Sequence, residues 1–160
     1  MANFSSPLLQ ATVSTSFKTT GNLYAPASAA RRIMLYEVEM GQTGALSSTD
    51  CQCEWDLSRF SATAIMTASL VTPQVNDEAD AAAVSQFTNN NTAEVTYTTA
   101  GNGLNLKHWA INQRGSYRWR ALDDGDHIGI AATAQKGLGL RILSSNFTGS
   151  AIGALNYLER

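Results

Sequence analysis

The sequence predicts an all-β fold: a jelly-roll-like β-sandwich of eight or nine strands with one short crossover helix and an extended N-terminal arm. Three observations carry this. From residue 32 to the end, short runs with apolar or β-branched residues at alternate positions follow one another. Gly, Asn and Asp separate the runs and supply turn chemistry. Only one stretch has helical character, and the long connection around it favours a jelly roll over a simple meander.

Residues 1–30 are rich in Ser, Thr and Ala, contain Pro7 and Pro26, and alternate only over residues 11–18. They read as an extended arm ahead of a β-sandwich domain at 31–160. The other reading of the same residues is a floppy tail or a first edge strand folded onto the body. Phe4, Leu8, Leu9, Phe17, Leu23 and Tyr24 are spaced as isolated anchors along this small, polar segment, and single side chains laid into a neighbour's pockets are how such a segment binds.

The predicted strands cover 32–40, 51–60, 63–70, 93–99, 104–111, 116–122, 127–132, 138–144 and 151–158. In the first, strict alternation puts Met34, Tyr36, Val38 and Met40 on one face. In 116–122, Tyr117 and Trp119 face one way and Arg118 and Arg120 the other. Trp119, Tyr117, Met34, Tyr36 and Val38 are therefore the expected core. Turns are marked at Gly101-Asn102-Gly103 and Asp123-Asp124-Gly125, and the runs on either side of each are expected to pair as hairpins. The helix is expected over 77–87, with Asn76 as cap, Asp77, Glu78 and Asp80 at the positive end of the dipole, and Ala81 to Ala83 supplying propensity.

Composition narrows the function. The chain has 160 residues, 44% of them apolar, but 23 are alanine, so one domain with a thin core is expected. Charged residues make up 15%, against roughly 25% in an average soluble domain. A flat, uncharged surface of this kind packs against other protein. A net charge of -2 excludes the electrostatic footprint of a nucleic-acid binder and a polybasic membrane contact. No apolar run approaches the roughly 18 residues that cross a bilayer, and residues 1–10 lack the pattern of a secretory signal, so synthesis in a cytoplasm is expected.

Chemistry-bearing residues are sparse. His108 and His127 have no partner at metal-ligand spacing, and Cys51 and Cys53 lack a second ligand pair and read as reduced thiols on one strand face. Asp123, Asp124 and Asp126 around Gly125 suit a tight turn and lack the spacing of a calcium loop. Residues 136–139 match no phosphate loop, and no serine sits in a G-x-S-x-G elbow. No enzyme, cofactor or metal is expected. Trp109, Arg114, Tyr117, Arg118, Trp119 and Arg120 form the one binding-type constellation, because Trp, Tyr and Arg dominate protein hot spots. The competing reading buries Tyr117 and Trp119 and leaves the arginines in solvent.

A set of short motifs runs through residues 25–160: Ala30-Arg31-Arg32-Ile33, Glu54-Trp55, Pro73 followed by Asp80-Ala81-Ala82, Asn112-Gln113-Arg114 leading to Tyr117-Arg118-Trp119, Gly137-Leu138-Gly139-Leu140-Arg141, and Tyr157. In this pattern the chain resembles capsid decoration, or cement, proteins of tailed bacteriophages. The resemblance implies a trimeric jelly roll or similar sandwich on the virion capsid surface, where major capsid protein subunits meet. It carries over no functional residue. The expected partners are the major capsid protein and further copies of this chain, with Arg114, Arg118, Arg120 and the arm residues as contacts. Alternatives are a minor tail or head-fibre structural protein, a carbohydrate-binding β-sandwich module and, last, a cupin-type enzyme.

Overall fold

The structure, a computed structural model, describes residues 2–28, 30–62, 67–98 and 105–160. Over these the chain is all β, in two antiparallel sheets that share one apolar core as in a β-sandwich. The strands are β1 (Asn3–Thr12), β2 (Lys18–Tyr24), β3 (Ile33–Thr43), β4 (Gln52–Ala62), β5 (Thr67–Val71), β6 (Gln74–Val75), β7 (Gln86–Ala93), β8 (Thr96–Tyr97), β9 (Asn105–Asn112), β10 (Tyr117–Arg120), β11 (Ile128–Ile130), β12 (Gly137–Leu143) and β13 (Ser150–Glu159). The first sheet runs β10, β3, β13, β1, β6, with β11 following β10 along the same side of β3. The second runs β5, β7, β2, β12, β4, β8, with β9 also on β4.

Period-two patterning builds the centre of the second sheet. Leu138, Leu140 and Ile142 of β12 and Cys53, Trp55 and Leu57 of β4 point into the core, and all six are fully buried. Gly137, Gly139 and Arg141 take the opposite face of β12. A β-carbon on Gly139 would collide with the Tyr97 phenol, which is why only glycine lets the 94–98 segment lie so close over the sheet.

The described residues among 1–30 do not form a free arm. β1 lies between β13 and β6, and β2 lies between β12 and β7, so both are interior strands. Phe4, Leu8 and Leu23 are core residues, and Phe4 stacks on Tyr157 with centroids 5.6 Å apart. The segment lacks apolar density because much of what it buries is polar and hydrogen-bonded: Thr20 Oγ1 donates to Leu140 O at 2.9 Å and Asn22 Nδ2 to Asn91 Oδ1 at 2.7 Å.

The expected helix over 77–87 is also absent. Asp80 N donates to Asp77 O at 2.9 Å and closes a single turn; the amides of Val84 and Ser85 then bind the Glu159 carboxylate, and Phe87 enters β7 fully buried. Acidic residues and alanines supply helix propensity, but the stretch has no apolar stripe at helical spacing to pack, and strand pairing wins. β3 departs from strict alternation through a bulge. Leu35 pairs with Tyr157 and Glu37 with Asn156, which leaves Tyr36 as the extra residue. Ile33 and Leu35 face the core before it and Val38 and Met40 after it, so Tyr36 is only half-buried.

Neither expected hairpin forms as drawn. β10 and β11 both pair with β3, one after the other, and residues 124–126 form a 3-10 turn between them. β8 and β9 likewise lie in succession along β4. The Gly101-Asn102-Gly103 turn itself lies outside the described residues, as do residues 63–66 of the expected 63–70 strand.

Burial pushes the Tyr157 phenol up from 10.0 to about 12, and its oxygen lies 2.7 Å from Ser85 Oγ. The fold accommodates the neutral phenol, so its stabilisation is whole below pH 10.0 and is lost as pH rises through about 12. The expected result is a urea midpoint that falls across that interval, and falls less in Tyr157→Phe. Equal falls in the two proteins would place the alkaline transition elsewhere.

Candidate binding surface

β9 and β10 are edge strands of opposite sheets, joined by residues 113–116, and the side chains between them are not fully covered. Tyr117 pairs with Met40 and Trp119 with Val38, so both aromatics point to the inner face. Yet Tyr117 is 45% exposed and Trp119 half-buried, because among the described residues no further strand closes this flank. Tyr117 is thus not a core residue, and the tryptophan that fills the core is Trp55, at 0% exposure. Trp109 of β9 reaches across to Tyr117 with centroids 6.3 Å apart, and Lys107 Nζ lies 5.4 Å from the Trp119 ring centroid. The flank is a strip of aromatic faces with one cation on it.

The arginines of β10 point outward, as alternation predicts, but they are not free in solvent. Arg118 pairs with Glu37 through Nη2, Arg120 Nε lies 3.8 Å from the same carboxylate, and Asn156 Nδ2 donates to it at 2.7 Å. Glu37 is buried beneath them at 4% exposure. The hydrogen bond to Glu37 raises the Arg118 pKa above its ordinary value. Next to this network, Gly41 and Gly153 leave an open groove of about 430 Å³ bordered by Ser116, Tyr117, Arg118 and Ile152. Arg114 stands apart, with Nε 3.7 Å from Asp50. Hydrogen bonds from Asn112 and Gln113 lead the causes that hold the Asp50 carboxyl below its usual range.

The anchor residues of the N-terminal segment do not come together as one surface. Phe4, Leu8 and Leu23 are in the core, and Tyr24 packs on Phe60 with centroids 6.2 Å apart. Leu9 is exposed. Phe17 is half-buried under the Arg141 guanidinium, 4.9 Å from its ring centroid. That guanidinium also lies 4.3 Å from the Tyr97 centroid and pairs through Nη2 with Asp56, which is fully buried. Sequence reasoning missed this pair. Its one signal is a charged residue of each sign between fully apolar neighbours, Trp55-Asp56-Leu57 and Leu140-Arg141-Ile142.

The histidines, Asp123 and the thiols serve local structure. His108 Nε2 is 3.9 Å from Glu54, and His127 Nε2 is 3.7 Å from Asp124. Asp123 Oδ1 accepts from Gly125 N at 2.7 Å and so caps the 3-10 turn. Both thiols are buried, and burial raises the Cys53 pKa. Among the described residues, no group of three or more His, Cys, Asp or Glu is placed to hold a metal ion. Also among them, no helix is long and apolar enough to cross a membrane. Comparison of the chain with protein-family models, curated proteins and solved structures gave no match in any of the three.

Proposed function

We propose that the chain is a bacteriophage virion structural protein, a capsid decoration or cement protein that binds the capsid surface as a homotrimer and bridges major capsid subunits. We read its sandwich as a jelly roll. Counting β8 with β9 and β10 with β11 as single interrupted strands, and setting aside the β5 to β7 insertion, leaves eight strands. Their order, β1-β13-β3-β10/β11 against β2-β12-β4-β8/β9, supports two interlocked Greek keys.

Fold alone assigns no function, so the reading rests on the flank. The single observation that carries it is the open strip formed by exposed Tyr117 and half-buried Trp109 and Trp119 beside the Arg118 and Arg120 network, on a chain with 15% charged residues. That composition is typical of surfaces that bind protein. The motif resemblance supplies the phage context.

The test is to add the purified chain to shells lacking it and measure occupancy and shell melting. Saturable binding with a raised melting temperature is expected, and Tyr117→Ala combined with Trp119→Ala should reduce occupancy. Shells that bind none of the chain would overturn the reading. Exposed aromatics also suit a carbohydrate-binding module. Saturable oligosaccharide binding by a monomeric chain that ignores shells would favour that alternative. Antibody labelling at the tail or fibres instead of the head would favour the minor tail or head-fibre alternative.

A further inference from the structure

Two features on opposite flanks of the first sheet carry opposite charge with no ion pair among the described residues, the basic one shared between Arg32 ahead of β3 and Arg59 of β4 in the second sheet. At one edge, Arg32 and Arg59 border a recess of about 520 Å³ whose remaining lining is Gly129, Ala131 and Ala132. Both arginines are exposed, and among the described residues neither is in an ion pair; Arg59 Nη1 donates to Gly129 O at 2.6 Å. Desolvation against the chain lowers the Arg59 pKa, so an added carboxylate would be favourable there. At the other edge, the turn after β6 carries Asp77, Glu78 and Asp80, with Ala79 and Ala81 to Ala83 as its only apolar side chains. None of these three carboxylates is in an ion pair among the described residues, and Asp77, Glu78 and Ala79 are exposed.

The two features lie on one row of the sheet. Gly129 pairs with Met34, Met34 with Leu158 and Leu158 with Asn3, and Asn76 N donates to Asn3 O at 2.9 Å. Five strands at about 4.8 Å spacing separate the edges by roughly 19 Å, too far for the turn to reach the recess of its own chain. Because they sit at the same level, a rotation about an axis along the strands brings the turn of one copy to the recess of the next.

We propose that copies of this chain associate head to tail, with the acidic turn at 77–80 of one copy seated in the Arg32–Arg59 recess of its neighbour. The chemistry fits on both sides. Guanidinium forks hold carboxylates in two-pronged pairs, and a recess floored by Gly and Ala accommodates a turn whose other side chains are Ala. A heterologous contact of this kind makes a closed ring when the rotation closes. The inference rests on the multi-copy reading above and names the surfaces that would join the copies.

Sedimentation velocity on the full chain at micromolar concentration tests it. The wild type is expected to sediment as an oligomer that dissociates as salt rises. Glu78→Lys with Asp80→Lys, or Arg32→Glu with Arg59→Glu, should each weaken association about a hundredfold or more, because like charges then face each other. All four changes in one chain should restore the oligomer. Thermal melting of each variant separates loss of contact from loss of fold, and the turn variant changes exposed Glu78 and partly buried Asp80, neither of them a core residue. A monomeric wild type, an oligomer that survives either reversal, or a failed restoration would each overturn the proposal. An oligomer unaffected by the reversals would still be compatible with trimeric shell binding, so this interface can fail without the virion reading failing.

Discussion

Deleting residues 1–23 should leave a chain that does not fold. β1 fills the gap between β13 and β6, and β2 the gap between β12 and β7, so the deletion removes an interior strand from each sheet. It also removes Phe4, Leu8, Ala11, Val13 and Leu23 from the core. Truncating a large buried apolar side chain costs about 2–5 kcal/mol, and three such losses approach the roughly 5–15 kcal/mol by which a whole domain is stable. The newly unpaired sides of β12 and β13 would in addition template aggregation. Amide chemical-shift dispersion and a thermal melt provide the check. A cooperative transition near that of the full chain would mean that residues 1–23 are a dispensable appendage after all.

Arg141→Met should destabilise the fold by about 3–5 kcal/mol, the usual cost of stranding a buried charge without its partner. Asp56 is fully buried, and the Arg141 guanidinium is the one cation paired with it among the described residues. The same substitution opens the stack of Arg141 on Phe17 and Tyr97. Arg141→Lys should recover only part of the loss, since an ammonium keeps the charge but neither the fork nor the flat face. Arg141→Met with Asp56→Leu should be clearly more stable than Arg141→Met alone, because no unpaired carboxylate remains. Urea midpoints of the four proteins measure this. If Arg141→Met cost less than about 1 kcal/mol, as is typical of an exposed pair, Asp56 would not depend on Arg141 as a buried carboxylate depends on its partner.

What was legible in the sequence follows from where strand alternation operates undisturbed. β12 and the core half of β4 read correctly because Leu138, Leu140 and Ile142, or Cys53, Trp55 and Leu57, alternate without a break. β3 was read correctly at Val38 and Met40 but misread up to Tyr36, where Ile33 and Leu35 rather than Met34 and Tyr36 face the core, because the bulge at Tyr36 shifts the phase by one residue, and a bulge is set by the partner strand as much as by the residues in it. The N-terminal strands were read as an arm because Ser6, Thr19, Thr20 and Asn22 are buried polar residues, most of whose partners lie far along the chain. The same limit applies to the surface. Alternation separated Tyr117 and Trp119 from Arg118 and Arg120, but the buried Glu37 that gathers those arginines is 81 residues from Arg118 in sequence. No local pattern announces a partner at that distance.

The virion assignment is tested most directly by quantitative peptide mass spectrometry on particles purified from infected cells and washed at physiological salt. Peptides from this chain should persist through the wash in a fixed ratio to those of the major capsid protein. Washed, infectious particles containing none of them would contradict the assignment.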